Sequence, residues 1–324
     1  MKAILCKQFG EIDTLVFEET QSPILGDNQV LIDVKACGVN FPDKLMVEGK
    51  YQFKPSFPFS PGGEVAGVVK EIGQNVKHLK VGERVFSLTG HGGFAEQTLG
   101  EANKTFPMPP DMDFVTAAST MYTYGTSFHA LKDRAKIKIG ETILILGAAG
   151  GVGLAAVQLA KIIGAKVIAA ASSAEKLAIC KELGADEVIN YELEDVKERI
   201  REITNGKGVD VVYDAVGDKF AEPAIRSLAW KGRYLVVGFA GGEIPKIPLN
   251  LVLLKGASIV GVFWGKFAEI EPINSLQNFM EIMKYIKEGS LKQHIHKIYP
   301  LSQAKESLHD LANRKVVGKC VISV

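Results

Sequence analysis

The sequence is poor in the features that define several classes of protein. It has four cysteines among 324 residues, and they stand far apart without paired spacing: Cys6, Cys37, Cys180 and Cys320. This is unlike a disulfide framework or a four-cysteine zinc lobe, so we expect reduced thiols. No apolar run approaches the length that crosses a bilayer, and the first residues lack the basic head and apolar stretch of a secretion signal. We therefore expect a cytoplasmic protein that does not bind membranes.

Charge of one sign is also lacking. The 38 Lys and Arg residues nearly balance the 37 Asp and Glu residues, which leaves a formal net charge of +1. The two signs alternate along the chain, so no field would recruit nucleic acid or an anionic lipid surface. What the sequence does have is length and apolar residues, at 47% hydrophobic, enough for the cores of two domains.

Two patterns divide the chain. Residues 1–122 contain short apolar segments such as VLIDVKA and VAGVVKEIG, broken by Gly, Pro and Asn, which predict a mainly β domain. Residues 123–264 alternate apolar strands with amphipathic helices, which predicts an α/β domain with a doubly wound parallel sheet of about six strands. Residues 265–324 are too few to fold alone, so we expect them to pack on the first domain and complete it.

A glycine turn follows the first strand of the second domain. The segment TILILG predicts a strand buried on both faces, and AAGGVGLAAVQLAK follows it as a turn that opens a helix. In the G-x-G-x-x-G spacing of dinucleotide-binding sites the chain has Ala148, Gly150 and Gly153. We expect Gly150 to let the backbone approach a pyrophosphate and Gly153 to let the helix approach the strand. The residues of this turn expected to contact the cofactor are Ala149, Gly150, Gly151 and Val152.

The end of the next strand favours one form of the cofactor. An acidic residue there would hold the ribose 2′-hydroxyl of NAD, but KVIAAASSAEK ends in Ser172 and Ser173, with Lys176 one helical turn further on. Hydroxyls and an ammonium group suit a 2′-phosphate, so we predict NADPH as the cofactor. Glu175 argues against this choice, although it should lie inside the helix rather than at the strand tip.

Four segments in order carry a family resemblance: ACGVNFPDKLMVEGKYQ, FPFSPGGEVAGVV, AAGGVGLAAVQLAK and KGRYLVVGFAGG. The chain resembles the zinc-independent quinone oxidoreductases, relatives of zeta-crystallin, in the medium-chain dehydrogenase/reductase superfamily. The resemblance covers nearly the whole chain. It implies that residues 1–122, with 265–324, form a GroES-like catalytic domain and that residues 123–264 form a Rossmann domain.

The zinc alcohol dehydrogenases of this superfamily hold a catalytic metal with a cysteine, a histidine and a second cysteine. At the corresponding positions this chain has Asn40, Gly63 and a site near Met121, which cannot ligate zinc. We therefore predict no metal site. Cys37 and His91 stay as isolated metal-ligand candidates, and each is more simply a core or surface residue.

The resemblance also implies where the chemistry occurs. Asn40 and Tyr51 are expected beside the nicotinamide, where a hydrogen-bond donor would stabilise the oxygen charge that develops on a reduced quinone. A quinone is already electrophilic, so a Lewis acid is dispensable. Asn40 could instead cap a turn, and Tyr51 could fill the domain seam.

Further cofactor contacts follow from the resemblance alone. Thr126 is expected near the nicotinamide, Tyr191 near the adenosine phosphate, and Arg314 as a clamp on the 2′-phosphate. Phe239 and Gly241 follow a strand of the parallel sheet and would line the nicotinamide site, because ligands lie beyond the carboxyl ends of such strands.

Three functions remain in competition. The leading hypothesis is an NADPH-dependent quinone reductase. The alternatives are a reductase of activated carbon–carbon double bonds in enoyl thioesters or alkenals, and a crystallin-like protein that binds NADPH without turnover. The apolar segment SIVGVFW is expected at a sheet edge, where it would pair with a second copy to form a homodimer.

Overall fold

The computed structural model describes all 324 residues, which divide into two compact units. The first unit contains Met1–Tyr122 and Ile295–Val324, and the second contains Thr123–His294. The break after Tyr122 coincides with the boundary expected from the sequence. The expectation that residues 265–294 pack on the first domain is wrong, because they belong to the second unit.

The first unit begins with strands broken by short turns. Its strands in this part are β1 (Lys2–Leu5), β2 (Val16–Glu19), β3 (Gln29–Val39), β4 (Glu64–Ile72), β5 (Arg84–Leu88), β6 (Gln97–Glu101) and β7 (Thr105–Pro107). Its helices here are α1 (Phe41–Val47) and α2 (Phe114–Ala117), with 3₁₀ turns at Ile12–Thr14 and Ala102–Lys104.

The second unit alternates strands and helices, as the hydrophobic pattern predicts. Its strands are β8 (Thr142–Leu146), β9 (Lys166–Ala171), β10 (Glu187–Asn190), β11 (Val209–Asp214), β12 (Leu228–Val236) and β13 (Ser258–Gly261). Its helices are α3 (Thr126–Phe128), α4 (Gly151–Ile163), α5 (Ala174–Glu182), α6 (Val196–Ile203), α7 (Ala221–Arg226), α8 (Leu249–Lys255), α9 (Trp264–Ile270) and α10 (Pro272–Lys287). A π turn at His129–Ala135 and a 3₁₀ turn at Asp218–Phe220 also belong to this unit, and a π turn at Met121–Gly125 spans the boundary at Tyr122.

The last residues return to the first unit. They form β14 (Ile295–Pro300), a 3₁₀ turn at Leu301–Gln303, α11 (Ala304–Ala312) and β15 (Lys319–Ser323). β15 pairs antiparallel with β3, with Cys320 opposite Val39. The chain terminus therefore lies against the strand that leads into α1.

The sheet of the second unit is parallel throughout. Its strand order is β10-β9-β8-β11-β12-β13, so the chain starts in the middle, winds outward to one edge and then to the other. This is the doubly wound Rossmann order, which confirms the predicted fold class. The order places the carboxyl ends of β8 and β11 side by side at the point where the winding direction changes.

The sheet of the first unit is mainly antiparallel, in the order β14-β15-β3-β4-β5-β7, with β6 also paired to β3. Its core contains alternate residues of the long central strand, including Val30, Ile32 and Val34, which are all buried. This period of two is the pattern of a strand with one face on a core. Because β3 is fully paired, the loop at its carboxyl end is held in place.

Residues 265–294 belong to the second unit through specific hydrogen bonds. In α10, Asn278 Nδ2 donates to Asp133 Oδ2 at 2.7 Å. The carbonyl of Lys292 accepts from the Tyr124 hydroxyl at 3.0 Å and from Gln158 Nε2 at 3.2 Å. These partners are far away in sequence, so local patterns could not reveal them. No helix combines the length and apolarity needed to cross a bilayer.

Candidate active site

The glycine turn after β8 has the geometry of a phosphate-binding turn. Gly150 is the N-cap of α4, and a Cβ added to it would meet nothing nearer than the Gly147 carbonyl oxygen at 3.4 Å. A Cβ on Gly153 would lie only 2.3 Å from the same oxygen. Gly153 therefore permits the close approach of α4 to the strand end, while Gly150 keeps the space beyond the turn open. The free N–H groups at this helix end suit an anion.

The residues chosen at the end of β9 lie together. Lys176 Nζ donates to Ser172 Oγ at 3.2 Å, and Ser173 Oγ caps α5 by accepting from the Lys176 N–H at 3.4 Å. Tyr191 follows the neighbouring strand, and its N–H donates to the Ala171 carbonyl at 3.2 Å. Glu175 is exposed in the first turn of α5. A carboxylate is thus absent from the strand tip, and two hydroxyl-bearing residues and an ammonium group surround it.

The loops after β11 and β12 lie beside the glycine turn. The Gly241 N–H donates to the Val216 carbonyl at 2.7 Å, and a Cβ on Gly147 would lie 2.8 Å from Val216 Cγ2. Phe239, in the same loop as Gly241, is 36% exposed. These residues therefore lie at the carboxyl ends of adjacent parallel strands, as predicted.

Thr126 begins the short helix α3. Its neighbour Ser127 donates from Oγ to the Val152 carbonyl at 2.7 Å and also contacts the Tyr213 hydroxyl at 2.9 Å. These bonds fix α3 to the first turn of α4, so Thr126 is tied to the glycine turn through its neighbour.

Asp214 is a site residue that the sequence analysis missed. This residue is 1% exposed at the end of β11, and its Oδ1 accepts from the N–H groups of Val216 at 2.7 Å and Gly217 at 2.8 Å. Oδ2 accepts from the Tyr234 hydroxyl. Burial raises the pKa of Asp214, and these hydrogen bonds partly oppose the rise. Asp214 shapes the loop that packs on the glycine turn.

A buried polar network occupies the carboxyl end of β3 in the first unit. Lys319 Nζ donates to Asn40 Oδ1 at 2.7 Å, to the Val39 carbonyl at 3.0 Å and to Glu64 Oε2 at 3.4 Å. Asn40 Nδ2 donates to Glu64 Oε2 at 3.2 Å and to the Gly38 carbonyl at 3.3 Å. Both ends of the Asn40 amide are therefore engaged within the protein. That Asn40 donates a hydrogen bond to the electron-accepting substrate stays a prediction. Its side-chain amide already bonds to Lys319, Glu64 and Gly38, which leaves little capacity for a further hydrogen bond.

Asp43 anchors the loop that carries Asn40. Its Oδ2 accepts from the Asn40 N–H at 2.7 Å and its Oδ1 from the Gly62 N–H at 3.1 Å. Burial raises the pKa of Asp43 to about 7, although these hydrogen bonds and the charge of Lys319 act to lower it. Asp43 therefore braces the loop between β3 and α1.

Two tyrosines lie beside this network. The Tyr122 N–H donates to Glu64 Oε1 at 3.0 Å, and burial raises the pKa of its phenol well above 10, with further contributions from the charges of Asp43, Glu64 and Tyr51. Burial and Asp43 raise the pKa of Tyr51 in the same direction. Both phenols therefore keep their protons at neutral pH and can donate hydrogen bonds.

The three positions that hold zinc in the alcohol dehydrogenases come together around Glu64. Asn40 contacts Glu64 directly, Gly63 precedes it, and Met121 precedes Tyr122, which donates to it. A Cβ on Gly63 would lie 2.7 Å from both the Tyr122 hydroxyl and the Gly90 carbonyl oxygen, so a ligating side chain would not fit there. No group of three or more His, Cys, Asp or Glu is arranged to hold a metal. These residues do not fit a catalytic zinc ion.

The other metal-ligand candidates have structural surroundings. Cys37 is fully buried, and its burial raises its pKa well above 9. All four cysteines are free and buried. His91 stacks on Phe53 with ring centroids 5.9 Å apart.

Arg314 lies in the first unit, one residue after the C-cap of α11, in a left-handed conformation with φ of +57°. Its N–H donates to the Leu311 carbonyl at 3.2 Å. The predicted clamp on the cofactor phosphate stays a prediction.

Comparison with known proteins agrees with this geometry. The alcohol dehydrogenase GroES-like domain family matches residues 26–110, and the zinc-binding dehydrogenase family matches residues 151–283. A quinone oxidoreductase-like protein 2 homolog of Nematostella vectensis is 38% identical over 99% of this chain and 88% of its own length. Human quinone oxidoreductase is 34% identical over 99% of this chain and 97% of its own. Escherichia coli quinone oxidoreductase, solved in complex with NADPH, superposes with a TM-score of 0.93 at 30% identity, with all of both chains covered.

The fold and the site thus define an oxidoreductase of the medium-chain dehydrogenase/reductase superfamily. Within that superfamily the chain belongs to the quinone oxidoreductase family, which confirms the resemblance found in the sequence. The match to a zinc-binding dehydrogenase family extends over the Rossmann unit, and the residues at the metal positions of the first unit differ from it, as described above.

Proposed function

We propose that this protein is an NADPH-dependent, zinc-independent reductase of quinones. The observation that carries the proposal is the combination of a dinucleotide turn that keeps Gly150 and Gly153 with a network in which Asn40, Gly63 and Met121 stand at the metal positions. A reductase without a Lewis acid needs an acceptor that is already electrophilic, and a quinone meets that need. The E. coli and human relatives reported above are both named quinone oxidoreductase, and the E. coli protein was solved in complex with NADPH.

The cofactor would be held by residues of the second unit. The N–H groups of Gly151 and Val152 would receive the pyrophosphate, Gly150 would let the backbone come close to it, and Ser172, Lys176 and Tyr191 would receive the 2′-phosphate. When bound, NADPH supplies the hydride. Phe239, Gly241 and Thr126 surround the carboxyl ends of the strands and would bound the nicotinamide end. Ala149 belongs to the turn, and Arg314 is proposed as a further phosphate contact.

The acceptor would be oriented by hydroxyl groups of the first unit. The Tyr51 phenol keeps its proton at neutral pH and can donate to a quinone oxygen, which becomes more basic as the ring is reduced. Asn40 would act indirectly, because its amide is held by Lys319 and Glu64 and in turn fixes the loop before α1. Proton supply from water or a phenol is sufficient, since a hydroquinone oxyanion is a stabilised phenolate.

We also propose a homodimer that forms along β13. This strand lies at the edge of the parallel sheet with one side unpaired. Ile259 within it is 41% exposed, and Phe263, Leu253 and Leu254 nearby are 55%, 77% and 71% exposed. An apolar, open edge is normally covered, and a second copy would continue the sheet.

We further propose that the protein acts in the cytoplasm on a small-molecule acceptor and has no nucleic acid or membrane partner.

The test is a spectrophotometric screen that follows nicotinamide oxidation at roughly 340 nm. Quinones, enals, ketones and alcohols are each offered with NADPH and with NADH, and metal analysis is made on the same sample. We expect turnover of quinones with NADPH by enzyme free of bound zinc. Faster turnover of enals than of quinones would identify a double-bond reductase, and tight NADPH binding without turnover of any acceptor would identify a non-catalytic binding protein.

A further inference from the structure

The hydroxyl group of Tyr122 lies in the space that a side chain at Gly63 would occupy. A Cβ built on Gly63 would be only 2.7 Å from the Tyr122 hydroxyl oxygen and 2.7 Å from the Gly90 carbonyl oxygen. Gly63 stands at the position of the histidine ligand of the zinc alcohol dehydrogenases. In this chain a phenol therefore fills the place of a metal ligand.

Buried contacts hold this phenol in position. The Tyr122 N–H donates to Glu64 Oε1 at 3.0 Å. The other oxygen of the same carboxylate accepts from Asn40 Nδ2 at 3.2 Å and from Lys319 Nζ at 3.4 Å, and Glu64 is 1% exposed. Because Tyr122 is anchored to a carboxylate that is itself held by two other side chains, its hydroxyl is placed before any substrate binds.

Tyr122 keeps its proton in these surroundings. Burial raises the pKa of its phenol well above 10, and the charges of Asp43 and Glu64 raise it further. The Lys319 ammonium group pairs with Glu64 and offsets the carboxylate charge. The hydroxyl is therefore a neutral, buried donor, and a hydrogen bond from such a donor is stronger than the same bond in water.

The metal position is also the position of the reacting oxygen. A catalytic zinc ion keeps an open site for the substrate and polarises its carbonyl oxygen. Reduction of a quinone adds a hydride from the cofactor and a proton from water, and negative charge builds on a quinone oxygen between the two events. A fixed hydrogen-bond donor stabilises that charge and gives up no proton of its own.

We propose that the Tyr122 hydroxyl donates a hydrogen bond to the reacting oxygen of the acceptor, in the role that the metal ion has in the zinc enzymes. The inference rests on the proposed function and adds a catalytic residue to it. Tyr122 then acts together with Tyr51, and the glycine at position 63 is needed because it leaves room for the phenol.

The first experiment uses two quinones of nearly the same shape. Tetramethyl-1,4-benzoquinone gives a more basic reduced oxygen than tetrachloro-1,4-benzoquinone, so it depends more on a hydrogen-bond donor. We expect Tyr122→Phe to lower kcat/KM about ten- to a hundredfold for the tetramethyl compound and less than about threefold for the tetrachloro compound, after subtraction of the rate without enzyme. The KM for NADPH should stay within about twofold of the wild-type value.

The matched control is Tyr124→Phe. It also removes a buried hydroxyl, two residues along the chain, which donates to the Lys292 carbonyl at 3.0 Å. Damage to the fold lowers kcat/KM for both quinones alike, so Tyr124→Phe should leave their ratio at the wild-type value. An unchanged ratio in Tyr122→Phe, or the same change of ratio in Tyr124→Phe, would overturn the proposal.

A second variant moves the phenol without removing it. Gly63→Ala places a Cβ against the Tyr122 hydroxyl and should change the ratio in the same direction. Added to Tyr122→Phe, it should change the ratio by less than about twofold, because the donor is already lost and residues in contact are not additive. Full additivity of the two changes would contradict a shared cause.

The third experiment needs no turnover. The phenolate 4-nitrophenolate resembles the charged oxygen of a reduced quinone, and its absorption band shifts when it accepts a hydrogen bond. With NADP⁺ present, we expect the full-length protein to bind it with a shifted band, and Tyr122→Phe to lose the shift and raise the Kd about three- to tenfold. If this result is obtained but no quinone is reduced, the proposed function fails and the donor site stands. If quinones are reduced but Tyr122→Phe alters neither the ratio nor the band, the donor site fails and the proposed function stands.

Discussion

Replacing Lys319 with methionine should destabilise the first unit strongly, because it leaves Glu64 as a buried charge without its cation. The two side chains are 4% and 2% exposed, and the ammonium group is also the hydrogen-bond donor to Asn40 Oδ1 and to the Val39 carbonyl. Methionine has a similar length and no charge, so the change removes the ammonium group with little change in packing volume.

The magnitude follows from the burial of the pair. Removing one partner of a buried ion pair costs about 3 to 5 kcal/mol, since the remaining charge is neither solvated nor compensated. At 1.4 kcal/mol per tenfold change in an equilibrium constant, this is roughly two to three and a half powers of ten in the population of the opened state. Surface pairs are worth about 0 to 1 kcal/mol, so Lys315→Met, which breaks the exposed pair with Asp310, is the matched control.

Hydrogen exchange of backbone amides reads this effect locally. Peptides that cover β3 and β15 should lose protection in Lys319→Met, because these strands pair beside the altered residue. Peptides from β8 in the second unit serve as an internal reference. Both tryptophans, Trp230 and Trp264, also lie in the second unit, so tryptophan fluorescence gives an independent measure of that unit during urea unfolding.

A second variant tests the cause of the loss. In the double variant Lys319→Met with Glu64→Gln the buried charge is gone, and the amide oxygen of the introduced glutamine can still accept from the Tyr122 N–H. We expect this double variant to recover most of the protection that the single variant loses, because removing both charges is far cheaper than removing one. The reasoning would be refuted if Lys319→Met exchanged as slowly as Lys315→Met, or if the double variant were no more stable than the single one.

Four further predictions follow from the same contacts. Gly150→Ala should weaken NADPH binding at least tenfold, measured by calorimetry, with little change in Tm. Gly153→Ala should lower stability by about 1 to 3 kcal/mol, because its Cβ clashes with the Gly147 carbonyl oxygen. Equal Tm values for the two variants in thermal melts would contradict this geometry. Lys176→Ala should raise the KM for NADPH about tenfold and leave the KM for NADH unaltered, and Lys181→Ala in the same helix is the control. An equal rise in KM for both cofactors would count against a contact between Lys176 and the 2′-phosphate. The pKa of Asp43 is about 7 in the folded state and 3.8 in the unfolded state, so its contribution to stability is full below about pH 4 and is lost as pH rises through about 7. Between pH 5 and 8 the urea midpoint of Asp43→Asn should therefore fall less than that of the wild type. Equal falls in the two proteins would exclude the raised pKa. Ile259→Lys on β13 should elute as a monomer in gel filtration, whereas Ile298→Lys on β14, the edge strand of the other sheet, should elute as a dimer. A wild-type protein that elutes as a monomer would disprove the dimer.

Several parts of the site could be predicted because their signals are local. The strand before Gly147 and the helix after Gly150 are each identified by hydrophobic period, and the glycines between them are needed where backbone atoms approach closely. The serines at the end of β9 and Lys176 are within five residues of each other, so their meeting follows from one helix cap. Asn40 and Gly63 were found because the resemblance aligns them with metal positions.

Other parts could not be predicted because they depend on contacts between distant segments. Lys319 stands in the short segment GKCVISV, and nothing in that segment indicates that its lysine is buried. The polar side chains of α10 do not indicate which domain the helix packs on, and only the structure shows that Asn278 bonds to Asp133 in the second unit.

The sequence by itself therefore determined the alternation of strands and helices and the dinucleotide turn, because hydrophobic period and glycine spacing act within a few neighbouring residues. The absence of the metal ligands followed from the family resemblance, which aligns Asn40 and Gly63 with the metal positions. The tertiary structure alone decided that Lys319 reaches Asn40 and Glu64 across 279 and 255 residues of chain, and that this uses up the Asn40 amide. The physical reason is that the energy of a buried charge depends on which groups surround it, and that is set only when β15 pairs with β3.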